Sequence, residues 1–168
     1  MQKFKICMLG GFCVGKTSLV SRYVTSLFPE TYLTTVGVKV DKKIVSVEAS
    51  DVMLMIWDIY GEDDAQTINM SYLRGMSGYL LVADGTRPET LRVASAVRAR
   101  VEAAFGELPA LLLLNKCDLQ TAWRLDPAVL EPAITGGLPV LETSARTGQG
   151  VEAAFLDLAR RLTTGGQP

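Results

Sequence analysis

The sequence predicts an α/β protein built on one mostly parallel β-sheet, for three reasons. Short apolar runs alternate along the chain with segments whose apolar residues recur at helical spacing. Two runs, YLLVAD (79–84) and LLLLN (111–115), are almost continuously apolar, which is typical of parallel strands covered on both faces. A glycine-rich turn joins the first apolar run to the first helical segment. Without repeats, low-complexity tracts or linkers, this alternation predicts one domain over residues 1–168.

The first third of the chain predicts three strands and one helix. FKICML (4–9) is a short apolar run that ends at glycines, so it predicts a buried strand. GKTSLVSRYVTSL (15–27) predicts a helix, and its apolar residues at helical spacing are Leu19, Val20, Tyr23, Val24 and Leu27. VGVKVDKKIVSVEA (36–49) alternates as an edge strand with one wet face would. A tight turn near Ser50 and Asp51 joins it to a further strand, DVMLMIWD (51–58).

The rest of the chain alternates strands with helices. Thr86 and Glu89 match a capping box, which predicts a helix that ends near Phe105. Its predicted apolar stripe is Ala94, Val97, Val101 and Ala104. Asp126-Pro127 predicts the start of a short helix, and LPVLETSA (138–145) predicts the last strand. A final helix is predicted from about Gly150, with Val151, Ala154, Phe155 and Leu158 on one face.

The composition excludes several classes of function. The formal net charge is −1, so no basic excess points to nucleic acid as the main partner. The chain has no histidine, which removes the commonest general base and the commonest zinc ligand. Its three cysteines, Cys7, Cys13 and Cys117, form no CxxC pair, which favours a reducing cytosol over a disulfide framework.

The sequence shows no membrane-targeting signal. The longest apolar runs are far too short to span a bilayer, and the first residues lack the core of a signal peptide. Neither end carries a lipidation motif. We therefore expect a cytoplasmic protein without an intrinsic membrane anchor.

The segment GGFCVGKT (10–17), which we call the phosphate loop, matches G-x-x-x-x-G-K-[ST] between a predicted strand and a predicted helix. Glycines let the backbone wrap closely around a phosphate, and successive amides together with the helix N-terminus attract its oxygens. Lys16 can reach the β- and γ-phosphates, and Thr17 can offer its hydroxyl to Mg²⁺. The loop predicts a three-layer P-loop NTPase fold, but it would serve an ATPase or a nucleotide kinase equally well.

Two later motifs indicate which base is bound. NKCD (115–118) follows a buried strand, at the edge where open α/β sheets place their ligands. The Asp118 carboxylate can accept from the ring N–H and the exocyclic amine of guanine, a donor pair that adenine lacks. Lys116 can lay its methylenes along the base, and in ETSA (142–145) the Ala145 amide can donate to the guanine oxygen. The combination favours guanine over adenine and argues against an ATP-using enzyme.

These motifs resemble those of the Ras superfamily of small GTPases, and especially its Rab-like members, including those of prokaryotes. TYLTTVGVKV, WDIYG and YLRG extend the resemblance over essentially the whole chain, in the family's order. The resemblance implies a six-stranded, mostly parallel sheet with one antiparallel edge strand and about five helices. It also implies a molecular switch that binds GTP or GDP with Mg²⁺ and hydrolyses GTP slowly.

The resemblance also assigns roles to individual residues. Thr17, Thr35 and Asp58 match the metal-binding positions, and the amide of Gly61 matches the one that touches the γ-phosphate. Phe28 lies where an aromatic ring packs on guanine, although it could instead belong to the core. The implied nucleotide pocket comprises Gly10, Cys13, Val14, Gly15, Lys16, Thr17, Ser18, Phe28, Thr35, Gly61, Asn115, Lys116, Asp118, Leu119, Ser144, Ala145 and Arg146. The residues implied nearest to the reaction are Lys16, Thr35, Gly61 and Glu62.

Partner proteins are implied to contact two segments, switch I (28–40) and switch II (58–74). Trp57 and Tyr72 resemble an aromatic patch that partners of Rab proteins read. The phenylalanine usual in that patch is Val40 here, and the two aromatic residues could equally be structural.

The sequence departs from the family around the γ-phosphate. Tyr60-Gly61-Glu62 stands where the family usually has Ala-Gly-Gln. That glutamine both donates and accepts when it orients the attacking water, whereas an ionised Glu62 only accepts and repels the phosphate. Tyr60 is bulky beside the γ-phosphate, and Phe12 stands where an activating protein's arginine finger must approach.

The next residues, Asp63, Asp64 and Ala65, replace a stretch that is usually Glu-Arg-Phe, and they are either a solvated acidic loop or a changed partner surface. From Glu62, Tyr60 and Phe12 we expect weak intrinsic GTP hydrolysis that arginine fingers of activating proteins do not accelerate. The alternative is a module that binds GTP or GDP without hydrolysis.

Overall fold

The computed structural model describes residues 1–29, 37–61, 67–125, 130–131 and 136–165. Six strands run in chain order as β1 (Gln2–Gly10), β2 (Val38–Val47), β3 (Ser50–Ile59), β4 (Gly78–Asp84), β5 (Ala110–Asn115) and β6 (Val140–Glu142). The α-helices within these ranges are α1 (Lys16–Thr25), α2 (Glu89–Phe105) and α3 (Val151–Thr164), with short 3-10 helices at Met70–Leu73 and Gln120–Ala122.

The strands form one sheet in the order β2-β3-β1-β4-β5-β6. β2 pairs with β3 in antiparallel orientation, and all other neighbours are parallel. The predicted sheet, with its antiparallel edge strand, is therefore confirmed. Its two edges differ, because β2 has ten residues and β6 has three. Since β1, β4 and β5 are parallel, their carboxyl ends meet at one edge, where Asp84 pairs in register with Asn115.

Helices cover both faces of the sheet and give the predicted three layers. On one face, α1 and α3 bury Leu19, Tyr23 and Phe155 against the strands, and the Tyr23 and Phe155 rings stack 3.9 Å apart. On the other face, α2 packs its apolar side against alternate residues of the same strands. Every residue of β4 and β5 is buried, as the continuous apolar runs predict.

The turn between β2 and β3 lies two residues before its predicted position. Val47 pairs with Ser50, so the turn consists of Glu48 and Ala49, and Glu48 adopts a positive φ of 53°. Ser50 and Asp51 resemble turn residues in the sequence, but they belong to β3. Asp51 instead accepts a hydrogen bond of 2.6 Å from the Ser46 hydroxyl across the strand pair.

α2 ends at Phe105 as predicted, but its start and the last residue of its predicted apolar stripe differ from the prediction. The helix begins at Glu89 after Pro88 without a side-chain cap, because the Thr86 hydroxyl donates to Asp84 Oδ1 at 2.7 Å. Ala104 is exposed, since the next packing position after Val101 is one helical turn on at Phe105, and not at Ala104. The buried face of the helix consists of Thr90, Leu91, Ala94, Val97 and Val101.

The start of the short helix predicted from Asp126-Pro127 lies outside the described residues, while Leu130 and Glu131 of the same segment are helical. In the parts of the chain that the structure describes, no helix is both long and apolar enough to cross a bilayer.

Candidate functional site

The phosphate loop joins β1 to α1 and encloses a buried lysine. The Lys16 side chain is only 7% exposed, and Nζ donates to the carbonyl oxygens of Gly10 at 3.2 Å and Gly11 at 2.8 Å. Gly15 has a φ of 101°, and a Cβ there would lie 2.3 Å from Asn115 Nδ2. A side chain would therefore push the loop away from β5, so the glycine keeps the loop and the strand in contact.

Burial changes the acidity of Lys16. It lowers the pKa of the amine from 10.5 to about 8, although the nearby Asp58 and Cys13 side chains favour the charged form. An anion in the loop would favour the charged form further, because an opposite charge within a few ångströms stabilises an ammonium group. The loop is thus suited to an anionic ligand.

Oxygen donors suited to Mg²⁺ lie next to this lysine. The Thr17 hydroxyl donates to Asp58 Oδ2 at 2.6 Å, and Asp58 is 1% exposed. In this arrangement the hydroxyl keeps its lone pairs available for a cation, and hydroxyl and carboxylate oxygens are ligands that Mg²⁺ prefers. The donor set therefore fits the implied metal. The third predicted ligand, Thr35, lies outside the described residues.

The segment that follows β3 lies against the phosphate loop. A Cβ at Gly61 would lie 2.1 Å from Lys16 Nζ and 2.4 Å from the carbonyl oxygen of Gly11. The Tyr60 amide donates to the carbonyl of Gly37 at 2.9 Å, which joins the described ends of switch I and switch II. Glu62, Asp63, Asp64 and Ala65 lie outside the described residues.

Phe12 and Tyr60, two residues that differ from the family pattern, lie next to each other. The ring centroids of Phe12 and Tyr60 are 6.5 Å apart, with the planes inclined at 57°. This separation and tilt lie within the range of attractive aromatic pairs. The pair connects the phosphate loop to the start of switch II, on the side of the loop where Gly61 meets Lys16.

On the opposite side of the loop, Asn115 holds three segments together. Its Nδ2 donates to the Val14 carbonyl at 3.0 Å, and its Oδ1 accepts from the Thr143 hydroxyl at 3.2 Å. The same oxygen accepts from the Ala145 amide at 3.3 Å, which is the amide predicted to donate to guanine. Asn115 thus positions the two loops that follow β5 and β6 as well as the phosphate loop.

The predicted base-reading carboxylate is also held in place. The Ser144 hydroxyl donates to Asp118 Oδ1 at 2.7 Å, which orients the carboxylate. Lys116 Nζ donates to the Cys13 carbonyl at 3.0 Å. These contacts bring the carboxylate, the lysine stem and the phosphate loop to the same opening.

A cavity of about 240 Å³ lies at this opening. It is lined by Cys13, Gly15, Ser18, Phe28, Asn115, Lys116, Asp118, Leu119, Ala145 and Arg146. All of these residues belong to the pocket that the sequence predicts. Phe28 is 40% exposed and lies outside both core clusters, so its position favours the pocket over the core.

The predicted aromatic patch is partly structural. Val40 is exposed and pairs across the strands with Trp57, while Trp57 and Tyr72 are half-buried against the core beside α2. Lys5 Nζ lies 3.7 Å from the centroid of the Trp57 ring, within the range of a cation–π contact. The patch therefore combines packing with an exposed surface.

Sequence reasoning missed two groups beside the cavity. Asp84 is buried at the end of β4, and its position after a buried strand at the ligand edge was an available signal. Burial favours a higher pKa for Asp84, but hydrogen bonds from Lys116, Thr86 and Arg87 outweigh it and hold the pKa below 3.8. Arg22, which no sequence signal identifies, donates to the Ala145 carbonyl at 2.8 Å and to the Arg146 carbonyl.

Comparison with known proteins agrees with this geometry. A sequence model of the Ras family matches residues 5–164. The chain is 32% identical over 163 residues to the Ras-related protein Rab-8B of Homo sapiens, covering 96% of this chain and 79% of the relative. It is 33% identical over 161 residues to the Ras-related protein Rab-13 of Canis lupus familiaris, covering 95% and 79%. This chain therefore belongs to the Ras superfamily of small GTPases, as a Rab-like member.

Proposed function

We propose that this protein is a guanine-nucleotide switch that binds GTP and GDP with Mg²⁺ and hydrolyses GTP slowly. The observation that carries the proposal is the cavity that joins the phosphate loop to the loops after β5 and β6. Asp118 lies in this cavity with an oriented carboxylate, which can pair with the two donors that guanine presents and adenine does not.

The phosphate end would bind through charge and backbone dipoles. Lys16 and the amides of the phosphate loop would hold the β- and γ-phosphates at the N-terminus of α1. Thr17 and Asp58 would hold the metal, with Thr35 as a further ligand when the γ-phosphate is present. The metal held there would supply positive charge to offset the negative charge of the phosphate oxygens.

Hydrolysis is proposed to be weak because three residues differ where the reaction is normally promoted. An ionised Glu62 can accept a hydrogen bond from an attacking water but cannot donate one. Its negative charge also repels the negatively charged γ-phosphate. Phe12 and Tyr60 lie in contact at the same end of the loop, where an arginine finger would have to enter. A module that does not hydrolyse GTP is the second candidate, and the same aromatic contact favours it.

Switching would follow from the contacts around Gly61. A γ-phosphate near Lys16 would order the segments that carry Thr35 and Gly61, and its loss would release them. The Tyr60 amide and the Gly37 carbonyl connect the two switches, so one segment would report on the other. Effectors and regulators would read the difference through switch I and switch II. The odd number of cysteines and the lack of a CxxC pair support a cytoplasmic location.

The first test identifies the natural ligand. Purified protein is denatured, and the released nucleotide is separated by chromatography. We expect GDP or GTP in near-stoichiometric amount, and after incubation with GTP and Mg²⁺ we expect the GTP share to rise. Release of adenine nucleotide, or tighter binding of ATP than of GTP, would overturn the proposal.

The second test measures cleavage of GTP in a single turnover. We expect Glu62→Gln to hydrolyse GTP faster than the wild type, because the amide can both donate and accept. A wild-type rate equal to or above that of Glu62→Gln would contradict the assigned effect of Glu62. Bound GTP that persists in both proteins would favour the second candidate.

A further inference from the structure

We propose that Asp84 is a positioning residue of the nucleotide site, which acts through Lys116 and Arg87 to hold the phosphate loop in shape and slow nucleotide release. The inference rests on the proposed function. It concerns two residues, Asp84 and Arg87, that lie outside the predicted pocket and the phosphate loop.

The Asp84 carboxylate is the centre of a compact polar network. It is 1% exposed at the carboxyl end of β4, and Oδ2 accepts from Lys116 Nζ at 2.7 Å and from Arg87 Nε at 3.0 Å. Oδ1 accepts from the Thr86 amide at 2.9 Å and from the Thr86 hydroxyl at 2.7 Å. Both oxygens are therefore fixed, and so are the two cations that share Oδ2.

Each of these cations also reaches the phosphate loop. Arg87 donates through a terminal nitrogen to the Phe12 carbonyl at 2.8 Å, and Lys116 Nζ donates to the Cys13 carbonyl at 3.0 Å. Asp84 thus connects two consecutive carbonyls of the loop to the strand beneath them. One carboxylate links the loop that binds phosphate to the lysine that faces the base.

The orientation of those carbonyls determines where the loop amides point. In a trans peptide unit the carbonyl and the following N–H point in opposite directions. When Arg87 and Lys116 draw the Phe12 and Cys13 carbonyls outward, the amides of Cys13 and Val14 turn the other way, as an anion-binding loop requires.

The backbone at both ends of the network is in the left-handed region. Cys13 has a φ of 58° and Lys116 a φ of 70°, a conformation that side chains other than glycine rarely adopt. Such residues persist where surrounding contacts hold them. The hydrogen bonds to the Cys13 carbonyl and the Lys116 amine provide contacts of this kind at both positions.

The test measures release of a fluorescent GDP analogue in the presence of Mg²⁺ and excess unlabelled GDP. We expect Asp84→Asn and Arg87→Ala each to speed release about tenfold, the effect of losing one hydrogen bond to a charged group. Arg87→Lys, which keeps the charge but cannot span both partners, should fall between Arg87→Ala and the wild type.

The matched control is Arg98→Ala. Arg98 lies on α2, pairs with Glu102 at 2.7 Å and donates to the Gly136 carbonyl, away from the phosphate loop. We expect wild-type release from this variant even if its melting temperature falls by as much as that of Arg87→Ala. Because the Arg87 side chain is one-third exposed, Arg87→Ala carries the test should Asp84→Asn not fold.

The outcomes separate this inference from the proposed function. If the wild type binds no guanine nucleotide, the proposed function fails. If the wild type binds GDP and folded Arg87→Ala releases it at the wild-type rate, only this inference fails. Equal acceleration by Arg98→Ala would also overturn it, because the effect would then be one of general stability.

Discussion

The proposed base-reading side and the proposed reaction side of the nucleotide site are built from different kinds of chain segment. On the base-reading side, Asn115 ends the buried strand β5 and Ser144 follows β6, and their side chains hold neighbouring loops. On the reaction side, Phe12, Tyr60 and Glu62 lie in segments between strands. We therefore propose that recognition of guanine depends on the carboxyl edge of the sheet, whereas the reaction depends on loops that can change without disturbing that edge.

The largest expected effect is a loss of nucleotide affinity when the proposed base-reading side alone is altered. Asp118→Ala removes an acceptor for two donors of guanine, so we expect GDP affinity to fall by about 10³-fold. Competition between labelled and unlabelled nucleotides measures this change. The same experiment shows how far the affinities for GTP and ATP converge. Glu107→Ala, at an exposed position after α2, is the matched control and should bind GDP as the wild type does. Retained discrimination against ATP in Asp118→Ala would mean that another group reads the base.

The next effect should fall on the reaction side. A Cβ added by Gly61→Ala would meet Lys16 Nζ and the Gly11 carbonyl at 2.1 and 2.4 Å, so this segment must move away from the phosphate loop. If the Gly61 amide donates to the γ-phosphate, single-turnover hydrolysis should fall about 10²-fold, with a much smaller change in GDP affinity. Gly75→Ala is the control, because no atom lies within 4 Å of a Cβ there, although its positive φ adds some strain. An equal loss of GDP affinity and hydrolysis in Gly61→Ala would contradict the separation of the two sides.

A smaller effect is expected from the Asp84 network that connects the two sides. It is tested through the pH dependence of the free energy of unfolding. The folded-state pKa of Asp84 lies below 3.8, so its stabilising contribution is complete above that pH and is lost as pH falls through the folded-state value. We expect Asp84→Asn to lower the free energy of unfolding by about 2 kcal/mol at pH 7, since its cations are partly solvated. Denaturant unfolding of both proteins in the same nucleotide state should show this difference shrinking below pH 4. A difference that stays constant down to pH 2.5 would exclude the carboxylate charge as its cause.

The smallest effect concerns the aromatic pair. Phe12→Ala, Tyr60→Ala and the double variant form a thermodynamic cycle, and we expect a coupling energy of about 1 kcal/mol in the free energy of unfolding. The same three proteins should hydrolyse GTP at different rates if the pair obstructs the γ-phosphate. Additive losses of stability would show that the rings are neighbours without a significant interaction.

Much of the lining of the cavity could be predicted from sequence because the motifs that supply it occupy fixed positions. NKCD begins at the last residue of the buried strand β5 and ETSA at the last residue of β6, and parallel strands bring their carboxyl ends to one edge whatever the intervening chain does. The phosphate loop is likewise defined by its own residues and its place between a strand and a helix. Residues of all three motifs therefore line the cavity: Cys13 and Gly15 of the phosphate loop, Asn115, Lys116 and Asp118 of NKCD, and Ala145 of ETSA.

The remaining contacts could not be read from local patterns. Thr86 matches a capping residue, but a partner two residues earlier, Asp84, takes its hydroxyl. Arg22 bonds to a loop 123 residues away, and nothing near it in the sequence indicates that partner. Arg87 likewise reaches Phe12, which lies 75 residues earlier in the chain. Such pairings are decided by tertiary contacts that local propensity does not encode.

The long outer strand β2 has a consequence for how copies of the protein meet one another. A ten-residue strand at the edge of a sheet can act as a template for strand addition and growth of aggregates. β2 carries Lys39, Lys42 and Lys43, of which Lys39 pairs with Asp41 at 3.3 Å and Lys43 with Glu152 at 3.2 Å, so a second copy approaching edge to edge would have to desolvate charged side chains. The opposite edge, β6, is only three residues long and offers little to extend. We therefore expect concentrated solutions to stay free of edge-to-edge fibres, with added salt weakening that protection.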